Sequence, residues 1–286
     1  MGGVGKRLIM TIFEALILGL VQGLAEFLPI SSSGHLAILQ HFLGINGENA
    51  LLFTVMLHAG SLIAVFAAYW KDICELIMEL GRLIGDIFTG KGLRAKCNQT
   101  RQLGLMLIIG SIPAAITGIL FDEVVEKLFT SVLAVGVCLI ITGTVLFIAE
   151  KVNSGRKDLS RAGFLNAFVV GLFQAVALAP GISRSGATIV GGLFQGFTRE
   201  LAVRFAFLLS IPAVLGAVIL QIPDALEAGV TGELLLPSVV GIVVAAVSGF
   251  LAIKLMIKVV TKSKLFVFSI YTWIAGAVVV ILCILG

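Results

Sequence analysis

Apolar runs of about 20 residues recur along the chain, separated by short stretches where most of the charges collect. A helix of about 20 apolar residues crosses a hydrocarbon core of roughly 30 Å. Six runs, about 51–70, 103–121, 131–149, 201–221, 237–257 and 265–285, therefore read as full transmembrane spans. The apolar pattern never settles at a period of two, which excludes a membrane β-barrel. Two further apolar regions, 8–43 and 162–198, are interrupted near the middle by proline, glycine and serine. Broken helices are tolerated at membrane depth only where the exposed backbone is buried in protein or lines a cavity. Both regions are accordingly read as re-entrant helical hairpins in an all-α integral membrane protein.

The two hairpins resemble each other. Set 152 residues apart without a gap, positions 19–34 match 171–186 at eight of sixteen places, among them Gln22/Gln174, Ser31/Ser183, Ser33/Ser185 and Gly34/Gly186. At the same offset Glu26 faces Leu178, Ser32 faces Arg184 and His35 faces Ala187. A duplicated unit is the natural reading, with repeat one at about 8–149, repeat two at about 162–285 and a basic loop, 150–161, between them. Each repeat is one hairpin plus three spans. An odd number of crossings forces the copies to insert in opposite directions, an inverted-topology repeat within a single membrane domain, 1–286.

Composition agrees: 59% of the residues are hydrophobic, 13% are charged, and the mean hydropathy is +1.13. About a quarter of a soluble domain would be charged. The net charge of +4 does not point to nucleic acid, because 16 of the 20 basic residues fall in or beside the stretches 71–102, 150–161, 199–204 and 254–264, read as loops and span starts on one side. Lys6, Arg7 and Lys127 fall on the other, beside Asp122, Glu123, Glu126, Asp224, Glu227 and Glu233. The basic side is taken as cytoplasmic, which puts both termini outside and multi-pass insertion in the cell membrane. Cys74, Cys97, Cys138 and Cys283 show no metal or disulfide spacing. The first apolar run is too long and too polar for a cleaved signal, carrying Glu14, Gln22 and Glu26.

One basic residue, Arg184, lies in the middle of a hairpin. At the centre of a span an arginine or a carboxylate costs about 2.5–3.5 kcal/mol, and residues bearing such a cost are by default functional. Glu26 is the matching acid in the other hairpin. A purely structural Glu26–Arg184 ion pair joining the halves is the competing account. Pro29 and Pro180 end the first half-helices. Ser31, Ser32, Ser33 and Gly34 open one new helix, and Ser183, Ser185 and Gly186 open the other. Helix starts present unpaired N–H groups suited to anions, and arginine adds a planar fork for phosphate. Plain N-capping accounts for one or two of these serines but not for all five. Two helix starts converging with an arginine read as a phosphate or diphosphate clamp. Gln22 and Glu26 share a helix face, where Glu26 could take a proton from a nucleophile or hold a divalent cation shared with substrate. His35, one position past Gly34, reads as an acid/base or phosphate contact. His58 reads as packing, with Ser210 as its counterpart, and His41 and Glu14 as interfacial.

The stretches QGLAEFLPISSSGH and PGISRSGAT resemble the two signature motifs of the undecaprenyl-diphosphate phosphatase family, the bacitracin-resistance phosphatases of cell-envelope lipid recycling. The similarity runs from the first hairpin through FAFLLSIP at 205–212 to the last span. The family's first motif has glutamate or glutamine followed four residues later by glutamate; here these are Gln22 and Glu26, and the glutamine leaves a metal-binding role for position 22 open. Its serines and histidine fall on Ser31, Ser32 and His35. The second motif falls on Pro180, Gly181, Ser183, Arg184, Ser185 and Thr188. The resemblance implies hydrolysis of the terminal phosphate of a polyprenyl diphosphate, with Mg²⁺ or Ca²⁺, at a site opening to the extracytoplasmic face. A homodimer is compatible with it. Ser32 is the candidate nucleophile, activated by Glu26 or His35; attack by His35 or by water are the other routes. An inverted-repeat transporter or flippase for a phosphorylated lipid is the alternative function, since broken helices meeting at the midplane are also carrier architecture.

Overall fold

The computed structural model describes residues 10–45, 48–121, 124, 127–128, 131–151, 155–227, 232–262 and 264–285; side chains at 48–51, 221–227 and 232–233 are outside that description. Among the described residues there are eleven long helices and no strand, only an isolated bridge between Lys157 and Phe197. The helices are α1 (Ile12–Phe27), α2 (Ser32–Leu43), α3 (Glu48–Ala68), α4 (Trp70–Phe88), α5 (Gln99–Leu120), α6 (Val132–Lys151), α7 (Phe164–Val176), α8 (Arg184–Phe194), α9 (Arg199–Glu227), α10 (Gly232–Thr261) and α11 (Phe266–Leu285). Five of them, α5, α6, α9, α10 and α11, are long and apolar enough to cross a membrane, and the bent α3–α4 pair makes a sixth candidate. Their outer faces carry exposed Ile, Leu, Val and Phe, such as Ile108, Ile112, Ile116 and Ile119 on α5. Such a surface suits lipid rather than water.

Both apolar regions broken in the sequence are broken in the structure, α1 from α2 at 28–31 and α7 from α8 at 177–183. The starts of α1 and α7, and of α2 and α8, lie 152 residues apart, whereas those of α6 and α11 lie 134 apart. The difference corresponds to α4, which falls inside the stretch read as a loop over 71–102. That reading is corrected here: the segment is amphipathic, with Trp70, Ile77, Ile84 and Phe88 along one face and Lys71, Glu75, Arg82 and Asp86 along another. Helix α4 turns away from α3 by 87°. Buried Arg101 on α5 ties it down, donating to Glu79 at 2.7 Å and to Asp86 at 2.8 Å, while Arg204 on α9 pairs with Asp72. Burial pushes the Glu79 carboxyl up, but hydrogen bonds, from Arg101 above all, more than offset this and leave it below the ordinary carboxylate value. The charges expected on the opposite side fall outside the description, Lys6, Arg7, Asp122, Glu123 and Glu126 entirely and Asp224, Glu227 and Glu233 in their side chains.

The broken helices are held by spans from the other half of the chain. Helix α1 packs along α10, α7 along α5, and α6 along α11. Small residues let these backbones approach, as is general for helices that pack within lipid. A Cβ on Gly23 of α1 would come within 2.4 Å of the Ala245 carbonyl and 2.8 Å of the Gly249 nitrogen. No flexible side chain can give way to relieve that clash, so Gly23→Ala is expected to force α1 off α10. Gly81→Ala on α4 meets nothing within 4 Å and gains helix propensity of about 1 kcal/mol. Thermal unfolding in detergent checks the pair: Gly23→Ala melts several degrees lower, and Gly81→Ala melts at or above the wild-type temperature.

Candidate active site

Two bends build the site. In the first, Leu28 is extended (φ −74°, ψ 143°), the conformation favoured before proline, and Pro29 prevents α1 from continuing. Ser31 then turns the chain with φ 72°, a left-handed value that costs a non-glycine residue on the order of 1–3 kcal/mol. Its hydroxyl caps α2 by accepting the Gly34 N–H at 3.3 Å. In the second bend the left-handed position is Gly181, with φ 92°, and the Ser183 hydroxyl caps α8 by accepting the Gly186 N–H at 3.1 Å. Thr142 of α6 pins this bend: its hydroxyl accepts the Ser183 N–H at 3.1 Å and donates to the Gly181 carbonyl at 3.0 Å.

The bends touch. The Ser185 hydroxyl donates to the Leu28 carbonyl at 3.2 Å. A Cβ on Gly34 would lie 3.3 Å from the Gly181 Cα, and one on Gly186 would lie 3.1 Å from the Pro29 Cβ. Each of these two glycines thus leaves room for the opposite bend, and the starts of α2 and α8 come together.

Glu26 is the hub of the junction. It is only 5% exposed and accepts three hydrogen bonds, from the Arg184 guanidinium at Oε1 and, at Oε2, from the Ser32 hydroxyl at 2.6 Å and the Gln22 amide at 3.0 Å. Gln22 also donates to Ser61 of α3 at 3.2 Å. Arg184 keeps 18% of its side chain exposed, so part of its donor fork remains available beyond Glu26. His35 stands to one side: Nδ1 is 2.8 Å from the Ser31 carbonyl, and Nε2 is 2.7 Å from the Tyr271 hydroxyl of α11.

The residues read from the sequence therefore occupy different places. Gln22, Glu26, Ser32 and Arg184 form one hydrogen-bonded cluster. Ser31 and Ser183 act as helix caps, each about 3.2–3.3 Å from the hydroxyl two residues on, Ser33 and Ser185 respectively. Thr188 turns its hydroxyl back to the Arg184 carbonyl at 2.9 Å. Three participants were not singled out in the sequence: Ser61, Thr142 and Tyr271. Tyr271 had a signal, being one of two tyrosines in the chain and lying inside an apolar run; the two hydroxyls had none.

Among the described residues no three His, Cys, Asp or Glu side chains come together to hold a metal. Glu26 is the one carboxylate of the cluster. The Gln22 Oε1, a buried acceptor without a protein partner, is the other oxygen free to ligate. Such a set fits a divalent ion only if substrate oxygens complete its shell. Beside the junction an apolar cavity of about 250 Å³ lies between α6, α7 and the α8 start, with Val145, Leu172, Phe173 and Val176 in its wall and Ser183 and Gly186 at one end. A hydroxyl on a carboxylate, a partly free guanidinium and two helix starts can together bind a phosphoanion and deliver an oxygen nucleophile to it.

Comparison with known proteins points the same way. A protein from Alkaliphilus metalliredigens named undecaprenyl-diphosphatase is 46% identical over 276 residues, covering 96% of this chain and all of its own length. Proteins of that name from Halothermothrix orenii and Methanosphaera stadtmanae are 42% and 40% identical, over 96% of this chain and 98% of theirs. The family described as bacitracin resistance protein BacA matches residues 15–278, and the chain belongs to that family.

Proposed function

We propose that the protein hydrolyses undecaprenyl diphosphate to the monophosphate and inorganic phosphate, recycling a lipid carrier and thereby opposing bacitracin. The observation that carries this reading is Glu26 holding a hydroxyl from one bend and a guanidinium from the other, where two helix starts meet. A diphosphate with an apolar tail matches the surroundings: phosphate at the helix starts and Arg184, the first part of the tail in the apolar cavity ending at Ser183.

The residues then divide the work. Arg184 and the α8 start bind the terminal phosphoryl group and stabilise its charge during transfer. The Ser32 oxygen attacks the terminal phosphorus while its proton passes to Glu26, and the bond to the bridging oxygen breaks, releasing the lipid monophosphate. Glu26 passes the Ser32 proton to the departing monophosphate. Water then attacks the phosphoserine and gives a proton to Glu26 or His35. The bond from the Ser32 oxygen to phosphorus breaks, and that proton returns to the Ser32 oxygen as inorganic phosphate leaves. The Ser32 hydroxyl donates to Glu26, whereas His35 is engaged by Ser31 and Tyr271, which makes Glu26 the activating base of the first step. A divalent cation, Mg²⁺ or Ca²⁺, would be held by Glu26 and the Gln22 Oε1 together with the diphosphate, and would neutralise phosphate charge.

The architecture belongs to the same reading. Two hairpins enter from opposite faces as halves of an inverted repeat, about 8–149 and 162–285. The matched boundaries of α1/α7, α2/α8 and α6/α11 and the reciprocal packing of α1 on α10 and α7 on α5 support it. Helix α4 is then an insertion in the first half, lying along the cytoplasmic surface. The termini and the mouth of the site face outward.

Three measurements test these points. Phosphate release from farnesyl diphosphate by protein in detergent, where no second compartment exists for transport, is expected for the wild type. Arg184→Ala should lower it by about 10²–10³; Ser32→Ala should abolish it and remove the acid-stable ³²P label that rapid quenching traps on wild-type serine. Full activity in Ser32→Ala, or label on histidine, removes serine from the nucleophile's role. Chelation by EDTA should suppress turnover, with Mg²⁺ or Ca²⁺ restoring it; undiminished turnover in EDTA would leave no place for the ion. Exposed Cys97, in the loop after α4, should react with a membrane-impermeant maleimide in inverted vesicles and not in intact cells. The opposite pattern would reverse the orientation.

A further inference from the structure

We propose that Tyr271, on the last helix, is a positioning residue that holds the ring of His35 and engages its Nε2 lone pair; this rests on the reading above in which His35 takes part in the reaction. Both ring nitrogens of His35 are engaged, Nδ1 with the Ser31 carbonyl at 2.8 Å and Nε2 with the Tyr271 hydroxyl at 2.7 Å. A carbonyl oxygen can only accept, so the proton of the neutral ring sits on Nδ1 and Nε2 is left as the acceptor. Tyr271 is then the donor. The two rings also stack, 5.6 Å between centroids and 13° between planes, which fixes the imidazole plane, while the Ser31 carbonyl fixes the tautomer.

The hydroxyl is itself held in place. Helix α11 is pressed against α6 where glycines face each other: a Cβ on Gly276 would come 2.7 Å from the Gly136 carbonyl, and one on Gly143 would come 2.6 Å from the Thr272 hydroxyl. Ser269 and Thr272 are fully buried, whereas Tyr271, one position along, is 44% exposed and turns toward α2. A rigid helix crossing thus delivers one phenol to one imidazole nitrogen. The consequence is chemical. Any proton His35 takes up must enter at Nε2, the position Tyr271 occupies, and a phenol hydroxyl can both donate and accept there. The Ser31 carbonyl is the partner on the far nitrogen, as at other reactive centres, and Tyr271 holds the basic Nε2 lone pair itself in a known direction. It also makes α11 part of the site, alongside the two hairpins.

The test uses the full-length protein in detergent with ¹⁵N-labelled histidine. The chain has only three histidines, so comparison with His35→Gln assigns the His35 signals. At about pH 8, above the ordinary histidine pKa, the wild type should show the Nδ1–H pattern for His35. Tyr271→Phe keeps the ring stack and removes only the hydroxyl. It should keep the Nδ1–H pattern and shift the Nε2 resonance to that of a lone pair without a hydrogen bond. It should also lower kcat about 10- to 100-fold, the range seen when a histidine loses an orienting partner, with KM changed by less than about threefold. An Nε2–H pattern in the wild type overturns the proposal whatever the variant does. So does a Tyr271→Phe protein with the wild-type Nε2 resonance or the wild-type kcat. If the wild type itself releases no phosphate, the phosphatase reading fails, while the Nε2 resonance still decides whether Tyr271 holds the ring.

Discussion

The contact between Glu26 and Arg184 is the constraint on which the rest of the structure turns. Each residue lies deep in an apolar segment, where an isolated charge costs about 2.5–3.5 kcal/mol. They are separated by 158 residues and belong to different bends. Neither bend can be buried at its depth without the other. Everything local follows: Gly34 and Gly186 clear space for the approach, Thr142 clamps the second bend, and Ser31 accepts an unfavourable φ so that α2 starts in the right place. A buried ion pair rarely stabilises more than apolar packing would. An arrangement that costs this much to maintain, and then leaves part of the guanidinium exposed and a serine hydroxyl on the carboxylate, is better explained by chemistry than by cohesion.

The scaffold meets that demand with close backbone contacts, since lipid offers no hydrophobic drive for helices to associate. Gly19 and Gly23 let α1 lie against α10, Gly110 and Gly171 bring α5 and α7 together, and Gly136 and Gly276 do the same for α6 and α11. Each crossing joins an element before residue 152 to one after it. The halves are therefore interleaved, and the junction of the bends is braced from both sides.

Much of this was legible in the sequence because membrane depth makes polarity informative. A glutamate and an arginine inside apolar runs stand out, and so do prolines followed by serines; these features mark the two bends and set Glu26 and Arg184 in one pocket, with a direct ion pair between them as the competing account. Other features were hidden for physical reasons. Amphipathic α4 reads as loop in the sequence because its charges, Asp72, Glu75, Glu79, Arg82 and Asp86, mask its apolar face in an average over the stretch. The left-handed turn at Ser31 carries no glycine to announce it, unlike Gly181. Thr142 and Ser61 are short hydroxyls in long apolar spans, and such residues usually satisfy themselves on the preceding turn of their own helix, as Ser248 does with the Val244 carbonyl. Tertiary placement alone distinguishes those that reach across. The serines divided for a similar reason: a helix start needs a cap, and Ser31 and Ser183 fill that place on their own helices, leaving Ser32 as the hydroxyl that reaches Glu26.

The two copies also differ where they must. Glu26 meets Arg184 across the junction, whereas the positions equivalent to them at the 152-residue offset are Leu178 and Ser32. With Leu178 in place of a second acid and Ser32 in place of a second arginine, the junction holds one such ion pair rather than two. Gln174 shows what the change left behind. Its counterpart Gln22 finds Glu26 and Ser61, but the positions 152 residues on from those partners are Leu178 and Ala213. The Gln174 amide is accordingly buried with neither polar atom bonded to protein, a state that costs about 1–3 kcal/mol for each such group. The acid and its amide partner work on one side of the junction only, which is why two similar bends make a single site.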